Sequence, residues 1–567
     1  MAWGHGVRIG AAAIAAAGLS LAAPAIASAD GPDRDGGTGD PRAAAAQTGP
    51  RASAKAATKA ATQASTQRAQ RAAAPTLPTQ AATALVRTAQ AIDRQRNAAS
   101  GLPYPVNEVL AGALLLTRRV LLPTVPEIPT VKVSDTALVE GGADNQARFT
   151  VTLDRGYDSA LTLGYATRDD TATAGLDYLP AQGTLTFVPG QTTAEVAVAV
   201  LPDDLVETTE QFDLGIFATM PFQSQTVVTG ADLAWGRATI FSDDVPAVVN
   251  SGVVDLSNWM TLLPGVTDLQ LTDLPIPGTH DSATSSLSTD SPWAQTGISD
   301  FGVLTELPGS LVKPFVVPWA RAHPDDVFTQ LVNGIRYLDL RLSMEPDGQI
   351  YLEHGLRGPT VDTVLDQIEL FADALPREVL FVSMSRFTGD FDAEAHATLL
   401  AKIRQTLGDR LVPDSVTTGA TLRDLWAIDR NVIVLYGDTA VAAANSDVWF
   451  GDIDFQPWPN VQTVEDLLER NRAYLQERNA LYPFDLWGLS GTVTPDTEMI
   501  VRGLAFGLLG PSSLKALMRT VHPALQDWLR GEFRDSVNLV TTDWYSARWP
   551  RGSYVRDVLG SVDGAYL

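Results

Sequence analysis

Between residues 130 and 246 apolar and polar positions alternate in short runs broken by turn residues. The segments ARFTVTL, ALTLGYAT, GTLTFVPG, TTAEVAVAVL and WGRATIFSDD keep a two-residue period, which turns one strand face to a core and the other to water. No helical period competes, and these runs predict a β-sandwich. From about Val253 the pattern changes. LTDLPIP, GIRYLDLRLS, IYLEHG, EVLFVSMS, NVIVLYGD and VNLVTTDW read as strands covered on both faces, with helical spacing between them in TVLDQIELFADAL and AEAHATLLAKIRQTLGD. Repeated βα units over residues 253–567 predict a TIM-like α/β barrel. An open Rossmann-type sheet is the alternative, but no GxGxxG follows the first strand.

The first 129 residues follow neither pattern. Residues 1–29 read as a secretory signal: Arg8 is the positive end, Ile9 to Ala23 a short apolar run, and Ala27-Ser28-Ala29 a small-residue cleavage site. That run is shorter than a membrane span requires. Residues 30–129 are a low-complexity linker with too few large apolar side chains to offset the entropy of ordering. Within it, Arg51 to Arg71 carries five basic residues and no acid, which suits either a solvated tether or an anionic envelope. Val106 to Pro123 has the pattern of a short amphipathic helix.

Composition narrows the function classes. A formal net charge of −25 disfavours nucleic acid as a partner, since phosphates would be repelled. The absence of cysteine excludes disulfides, thiolate metal sites and a cysteine nucleophile, and with the signal it suggests a secreted or cell-surface bacterial protein. Nothing in the sequence fixes an oligomeric state.

The chain holds only six histidines, and two stand at strand ends beside residues that suit catalysis. His280-Asp281 follows LTDLPIP, Asp339-Leu340-Arg341 lies on the next strand, and His354-Gly355 ends the third. Ionisable groups at the C-terminal ends of barrel strands lie where barrel enzymes do chemistry. Two imidazoles supply a general base and a general acid, and an arginine supplies a fixed charge, a set suited to phosphodiester cleavage. His323, His396 and His522 have no comparable neighbours.

PIPGTHDS, NGIRYLDLRLS and LEHG, with the later strands EVLFVSMSR and VNLVTTDW, resemble the X-domain of phosphatidylinositol-specific phospholipase C, particularly its compact bacterial form. The resemblance implies that His280 is the base acting on the inositol 2-hydroxyl and His354 the acid protonating diacylglycerol. It further implies that Asp281 orients His354, that Asp543 orients His280, and that Asp339 and Arg341 complete the cluster. In calcium-dependent relatives an acid stands where Arg341 stands, so the resemblance implies catalysis without a metal. Ser385, with Arg386 beside it, and Tyr436 occupy the places of a lysine and an arginine that hold the inositol ring, making Arg386 and Tyr436 candidate substrate contacts. The expected partner is a phospholipid membrane surface.

The sandwich resembles a Calx-beta domain through LVEGG, YATRDDTATAGLDYLPAQGTLTFVPGQTTAEVAVAVLPDD, ETTEQFDL and ATIFSDD. Carried over, the family's calcium ligands fall on Glu140, Asp177, Asp203, Asp204, Glu207, Asp243 and Asp244, while Pro202 and Ser242 replace further acids. Carboxylates from separate segments suit calcium's flexible oxygen shell. A spacer or adhesion role is the other reading.

An insertion from Trp293 to Pro324 carries Trp293, Phe301, Phe315 and Trp319, which suit a lid or a membrane interface. Competing functions are a cell-surface protein that only binds lipid or calcium, a related enzyme acting on another headgroup, and a metal-dependent glycerophosphodiesterase or sphingomyelinase D barrel. The last expects paired carboxylates on a divalent ion, and Arg341 speaks against it.

Overall fold

The computed structural model describes residues 129–560, apart from 143, 204–206, 223–224, 243–254, 296–308, 451–453, 456, 504–509 and 547–552. The signal, almost all of the linker and the helix read at Val106–Pro123 therefore lie outside the described residues, as do Asp204, Asp243, Asp244 and Phe301.

The first layer pair comprises β1 (Val131–Val133), β2 (Thr136–Val139), β3 (Gln146–Leu153), β4 (Leu161–Asp169), β5 (Gln182–Phe187), β6 (Thr193–Ala199), β7 (Glu210–Phe222) and β8 (Gln225–Phe241). One sheet has the order β1-β3-β6 and the other β2-β8-β7-β4-β5. The alternation produces the sandwich directly: Ala147, Phe149, Val151 and Leu153 of β3 are buried while Arg148 and Thr150 between them are exposed. Tyr178 stacks on Phe212 at 4.0 Å in its core.

The second fold comprises β9 (Ile276–Thr279), β10 (Tyr337–Met344), β11 (Ile350–Glu353), β12 (Arg357–Thr360), β13 (Leu380–Gly389), β14 (Val432–Tyr436), β15 (Trp449–Phe450), β16 (Asp454–Phe455), β17 (Leu486–Ser490) and β18 (Leu539–Thr542). Seven parallel ladders join β9-β10-β13-β14-β15 and β16-β17-β18-β9, so the strands follow chain order around a TIM-like barrel and the last returns to the first. A doubly wound sheet would reverse its order instead. β14 and β18 are buried at every position, as strands walled on both sides must be. Gly278 keeps β9 close to its neighbours, since a Cβ there would meet Tyr337 Cβ and Val540 O at 3.0 Å.

Two strand readings need correction. Leu271–Pro275 forms turns before β9 begins; Leu271 and Leu274 both point inward, and Asn538 Nδ2 donates to both their carbonyls at 2.8 and 2.7 Å. IYLEHG is not a parallel barrel strand, because β11 pairs antiparallel with β10 and β12. The link from Met344 to Ile350 is too short for a parallel crossover, which leaves a hairpin.

The main helices flanking the barrel here are α1 (Gly309–Ala320), α2 (Val361–Ala374), α3 (Ala393–Leu407) and α4 (Leu514–Arg530). Phe241 of β8 packs edge-on against Phe371 of α2 at 6.1 Å, bringing the sandwich's last strand into the barrel's core. Nearby, Asp255 accepts from Thr209 N and Oγ1 at 3.0 and 2.8 Å. Among the described residues no helix is long and apolar enough to cross a membrane.

Candidate active site

The β18–β9 ladder continues one step past both strands, with His280 N donating to Thr542 O at 3.2 Å. This brings Asp543 beside His280, and Nδ1 of the ring lies 3.0 Å from Asp543 Oδ1. With Nδ1–H donated to the carboxylate, Nε2 carries the lone pair and faces the cavity. Burial alone would lower this imidazole's pKa, but the carboxylates of Asp281 and Asp543 outweigh it and hold the pKa above its ordinary value. Arg341 Nη2 donates to Nε2 at 2.5 Å.

Asp281 lies at the centre of the charge network. It is fully buried, with Arg341 Nε 2.7 Å from Oδ1, and His280 Nε2 and His354 Nε2 at 3.4 and 3.3 Å from Oδ2. Burial opposes its charge, yet the arginine and the two histidines hold its carboxyl far below the usual range. Its φ of 48° is in the left-handed region, which a non-glycine residue adopts at a cost. Asp339 staples that turn: its Oδ2 accepts from Asp281 N at 3.2 Å, its carbonyl accepts from Ser282 N at 2.9 Å, and its own amide donates to Ser282 Oγ at 2.9 Å.

His354 arrives from the β11–β12 hairpin rather than from a barrel strand, and Gly355, at φ 70°, makes the turn that follows it. Its Nδ1–H donates to Ala320 O at 2.7 Å while Nε2 faces Asp281. Both nitrogens thus lie close to oxygen atoms, one a carbonyl and the other a carboxylate.

All six residues read as catalytic therefore meet at one end of the barrel, and His280, Asp339 and Arg341 among them line a cavity of about 180 Å³. The rest of its lining is Tyr337, Ser383, Ser385, Ser490 and Thr541 and the Pro457-Trp458-Pro459 segment. Trp458 stacks on the His280 ring at 4.5 Å and 22°.

A Calx-beta domain model matches residues 127–235. Human PI-PLC X domain-containing protein 3 is 29% identical over 295 residues, covering 51% of this chain and 89% of the relative. Mouse PI-PLC X domain-containing protein 2 is 30% identical over 312 residues, covering 54% of this chain and 88% of the relative. The chain belongs to the PI-PLC X domain-containing family. A variant of the phosphatidylinositol-specific phospholipase C of Staphylococcus aureus superposes with a TM-score of 0.40 at 16% identity, covering 54% of this chain and 97% of that one. The sequence relatives of the X-domain named here are animal proteins, so they do not carry the expectation of a specifically bacterial type.

Other positions in this X-domain chain depart from the sequence reading. Tyr436 does not reach the cavity: it is fully buried, its hydroxyl 2.8 Å from His396 Nδ1. Its ladder partner is Met384, the residue between the cavity-lining Ser383 and Ser385, so Tyr436 faces out of the barrel toward α3. Arg386 is exposed at the rim and is not part of the cavity lining, although its charge helps keep Asp281 ionised. A bulge between Asp339 and Arg341 puts Arg386 level with Arg341 and leaves Ser385 Oγ to donate to Asp339 Oδ1 at 3.1 Å. In the insertion, Trp319 is a core residue, 4% exposed, whereas Phe315 on the same helix is 48% exposed.

His323 and His522, which have no comparable neighbours in the sequence, are brought against the site by the fold. Each is buried against a backbone carbonyl of the base pair, His323 Nε2 at 2.8 Å from His280 O and His522 Nε2 at 3.0 Å from Asp543 O. No local sequence signal points to a carbonyl acceptor from another segment.

In the sandwich, Asp177 and Glu207 converge with Glu210, which the sequence reading missed, their ligating oxygens within 4.8 Å of one another. Glu140 is buried close enough to act on the same carboxyl. Burial and the carboxylates of Asp177, Glu207 and Glu140 push the Glu210 pKa up to about 8. Asp203 is exposed and is not part of the converging trio. One signal for Glu210 was available: it lies three residues after Glu207, at the start of β7.

Proposed function

We propose that the barrel is a phospholipase C-type phosphodiesterase that cleaves phosphatidylinositol to diacylglycerol and an inositol cyclic phosphate. The fold family supports the reaction class. The finer reading rests on one observation: two imidazoles, His280 beside Asp543 and His354 beside Asp281, lie either side of the Asp281 carboxylate with the Arg341 guanidinium against it. His280 Nε2 takes the proton of the ring 2-hydroxyl, whose oxygen attacks phosphorus. The phosphorus–oxygen bond to glycerol breaks, and the His354–Asp281 pair protonates the leaving oxygen. Arg341 turns from Nε2 toward the non-bridging oxygens as the hydroxyl takes its place.

The guanidinium also bears on the metal question. His280, Asp281 and Asp339 have ligating atoms within 4.8 Å of one another, but Arg341 reaches into that group with Nε and Nη2. A fixed cation there supports metal-independent catalysis. The hydroxyl-bearing residues Tyr337, Ser383, Ser385, Ser490 and Thr541 around the cavity, with Trp458, support a polyhydroxylated headgroup. A lipid surface is the proposed partner, with Leu311 (64% exposed) and Phe315 on α1, the helix whose last carbonyl holds His354.

In the sandwich we propose a calcium site. Glu140, Asp177, Glu207 and Glu210 fit it, because a carboxyl held protonated by its neighbours marks a surplus of negative charge that a divalent ion would relieve.

Phosphorus NMR of the full chain with phosphatidylinositol vesicles tests the enzyme reading. Cyclic phosphate should form, and His280→Ala should lower the rate about 100-fold or more. Equal rates, or no product with the wild type, would refute it.

A further inference from the structure

The four residues before Pro324, the last of the insertion, reach His354 and His280 directly and Asp281 and Asp543 through Thr284 and Trp544. Ala320 O accepts from His354 Nδ1 at 2.7 Å. Arg321 O accepts from Trp544 Nε1 at 2.9 Å, and Ala322 O from Trp544 N at 2.8 Å, fixing the residue after Asp543. Ala322 N and His323 N donate to Thr284 Oγ1 at 2.9 and 3.2 Å, and that hydroxyl donates to Asp281 O at 3.0 Å. His323 Nε2 then donates to His280 O at 2.8 Å.

We propose that Ala320–His323 is a brace that sets the spacing of the general acid and the general base, with His323 as its positioning residue. It rests on the acid–base reading above. The acid comes from the β11–β12 hairpin and the base from the end of β9, two elements that meet in the sheet only through β10. The brace spans that gap with backbone carbonyls, which cannot titrate, and with one buried imidazole. Burial lowers the pKa of His323, so it stays a neutral donor. Both of the turns it holds are in the left-handed region, at Asp281 and Trp544, with φ of 48° and 49°. Such turns persist only where their surroundings determine them. The insertion thus works as a structural tie, with α1 anchoring it through Val312, Val316 and Ala320 against Leu287 and Leu356.

The test uses the full chain labelled with ¹⁵N-histidine, and wild type, His323→Leu and His323→Gln. The Nδ1–H resonance of His280, assigned by its loss in His280→Gln, reports the bond to Asp543 without any substrate. It should be protected in wild type, lost in His323→Leu, and retained in His323→Gln, whose amide nitrogen reaches the same carbonyl. If the leucine variant does not fold, His323→Asn, one methylene short of the carbonyl, should lose it. On phosphatidylinositol vesicles kcat should fall about tenfold or more in the leucine variant with KM nearly unchanged, and recover in the glutamine variant. An unchanged resonance in a folded leucine or asparagine variant, or equal loss in the glutamine variant, would overturn the brace. A brace-dependent resonance in a wild type that cleaves no phosphatidylinositol would retain the brace and reject the enzyme reading.

Discussion

Arg341 Nη2 lies 2.5 Å from His280 Nε2, the nitrogen that the proposed mechanism makes the proton acceptor. A guanidinium only donates, so this contact exists only while Nε2 is unprotonated. On the proposed mechanism the arginine would therefore keep the base in its reactive form until a hydroxyl displaces it, and its charge would then be released to the phosphate.

Replacing Arg341 separates charge from shape. Arg341→Lys keeps a cation but loses the two-pronged reach between Asp281 and His280, and turnover of phosphatidylinositol should fall about 100-fold. Arg341→Asp adds a carboxylate to His280, Asp281 and Asp339, and its residual turnover should become calcium-dependent. Wild-type turnover should survive EDTA; activity abolished by EDTA and restored by calcium would reject metal-independent catalysis.

On the proposed mechanism His280, as the base, sets the acidic limb of the pH profile. Burial pulls the His280 pKa down, Asp281 and Asp543 pull it up, and the net is a rise above 6.5. Since the neutral ring is the reactive one, kcat/KM should be low at acid pH and reach half its plateau above pH 6.5. Asp543→Asn removes one raising charge, so the limb should move to lower pH while the plateau falls, about 100-fold or more as the tautomer is lost. A limb that stays in place would exclude Asp543 as the partner of the base.

The parts of the site legible in the sequence were those fixed by local rules. Asp339 and Arg341 are two apart on one strand and so share a face, and PIPGTHDS puts its ionisable pair just past the strand end. Tyr436 was misread because facing depends on ladder register: its partner is Met384 and not Ser385. Trp458 lies between two prolines in a segment without period, so only folding reveals its stack on His280. His323 and His522 act through carbonyls of other segments, and a carbonyl leaves no trace in a sequence. The sandwich was legible as a whole because strands such as β3 alternate strictly, but Glu210 was passed over beside more conspicuous acidic runs.

The joint beneath the site offers a stability test. Arg336 and Glu378 are both fully buried, paired at 2.7 Å; Arg336 also donates to Ser257 O at 2.5 Å, and Glu378 accepts from Thr261 N at 2.9 Å. Glu378→Ala leaves a buried guanidinium uncompensated and should lower the unfolding free energy by about 3–5 kcal/mol, read from urea denaturation. A loss under about 1 kcal/mol would mean that the guanidinium finds water or another acceptor.

The Glu210 pKa of about 8 makes a sharper prediction for calcium than affinity alone. At pH 7 its carboxyl is mostly protonated in the free protein, and a calcium ligand must be ionised. Binding should therefore release close to one proton at pH 7, and almost none above about pH 9, where the group is already charged. Titration calorimetry of the full chain in two buffers of different ionisation enthalpy measures that number, since the apparent heat differs by the protons transferred times the enthalpy difference. Glu210→Gln should abolish the buffer dependence at pH 7 and weaken binding, because it removes both the titrating proton and one charge. Buffer-dependent heat that persists in the glutamine variant would move the proton to another group. No heat from the wild type at millimolar calcium would leave the acidic cluster without calcium as its ligand.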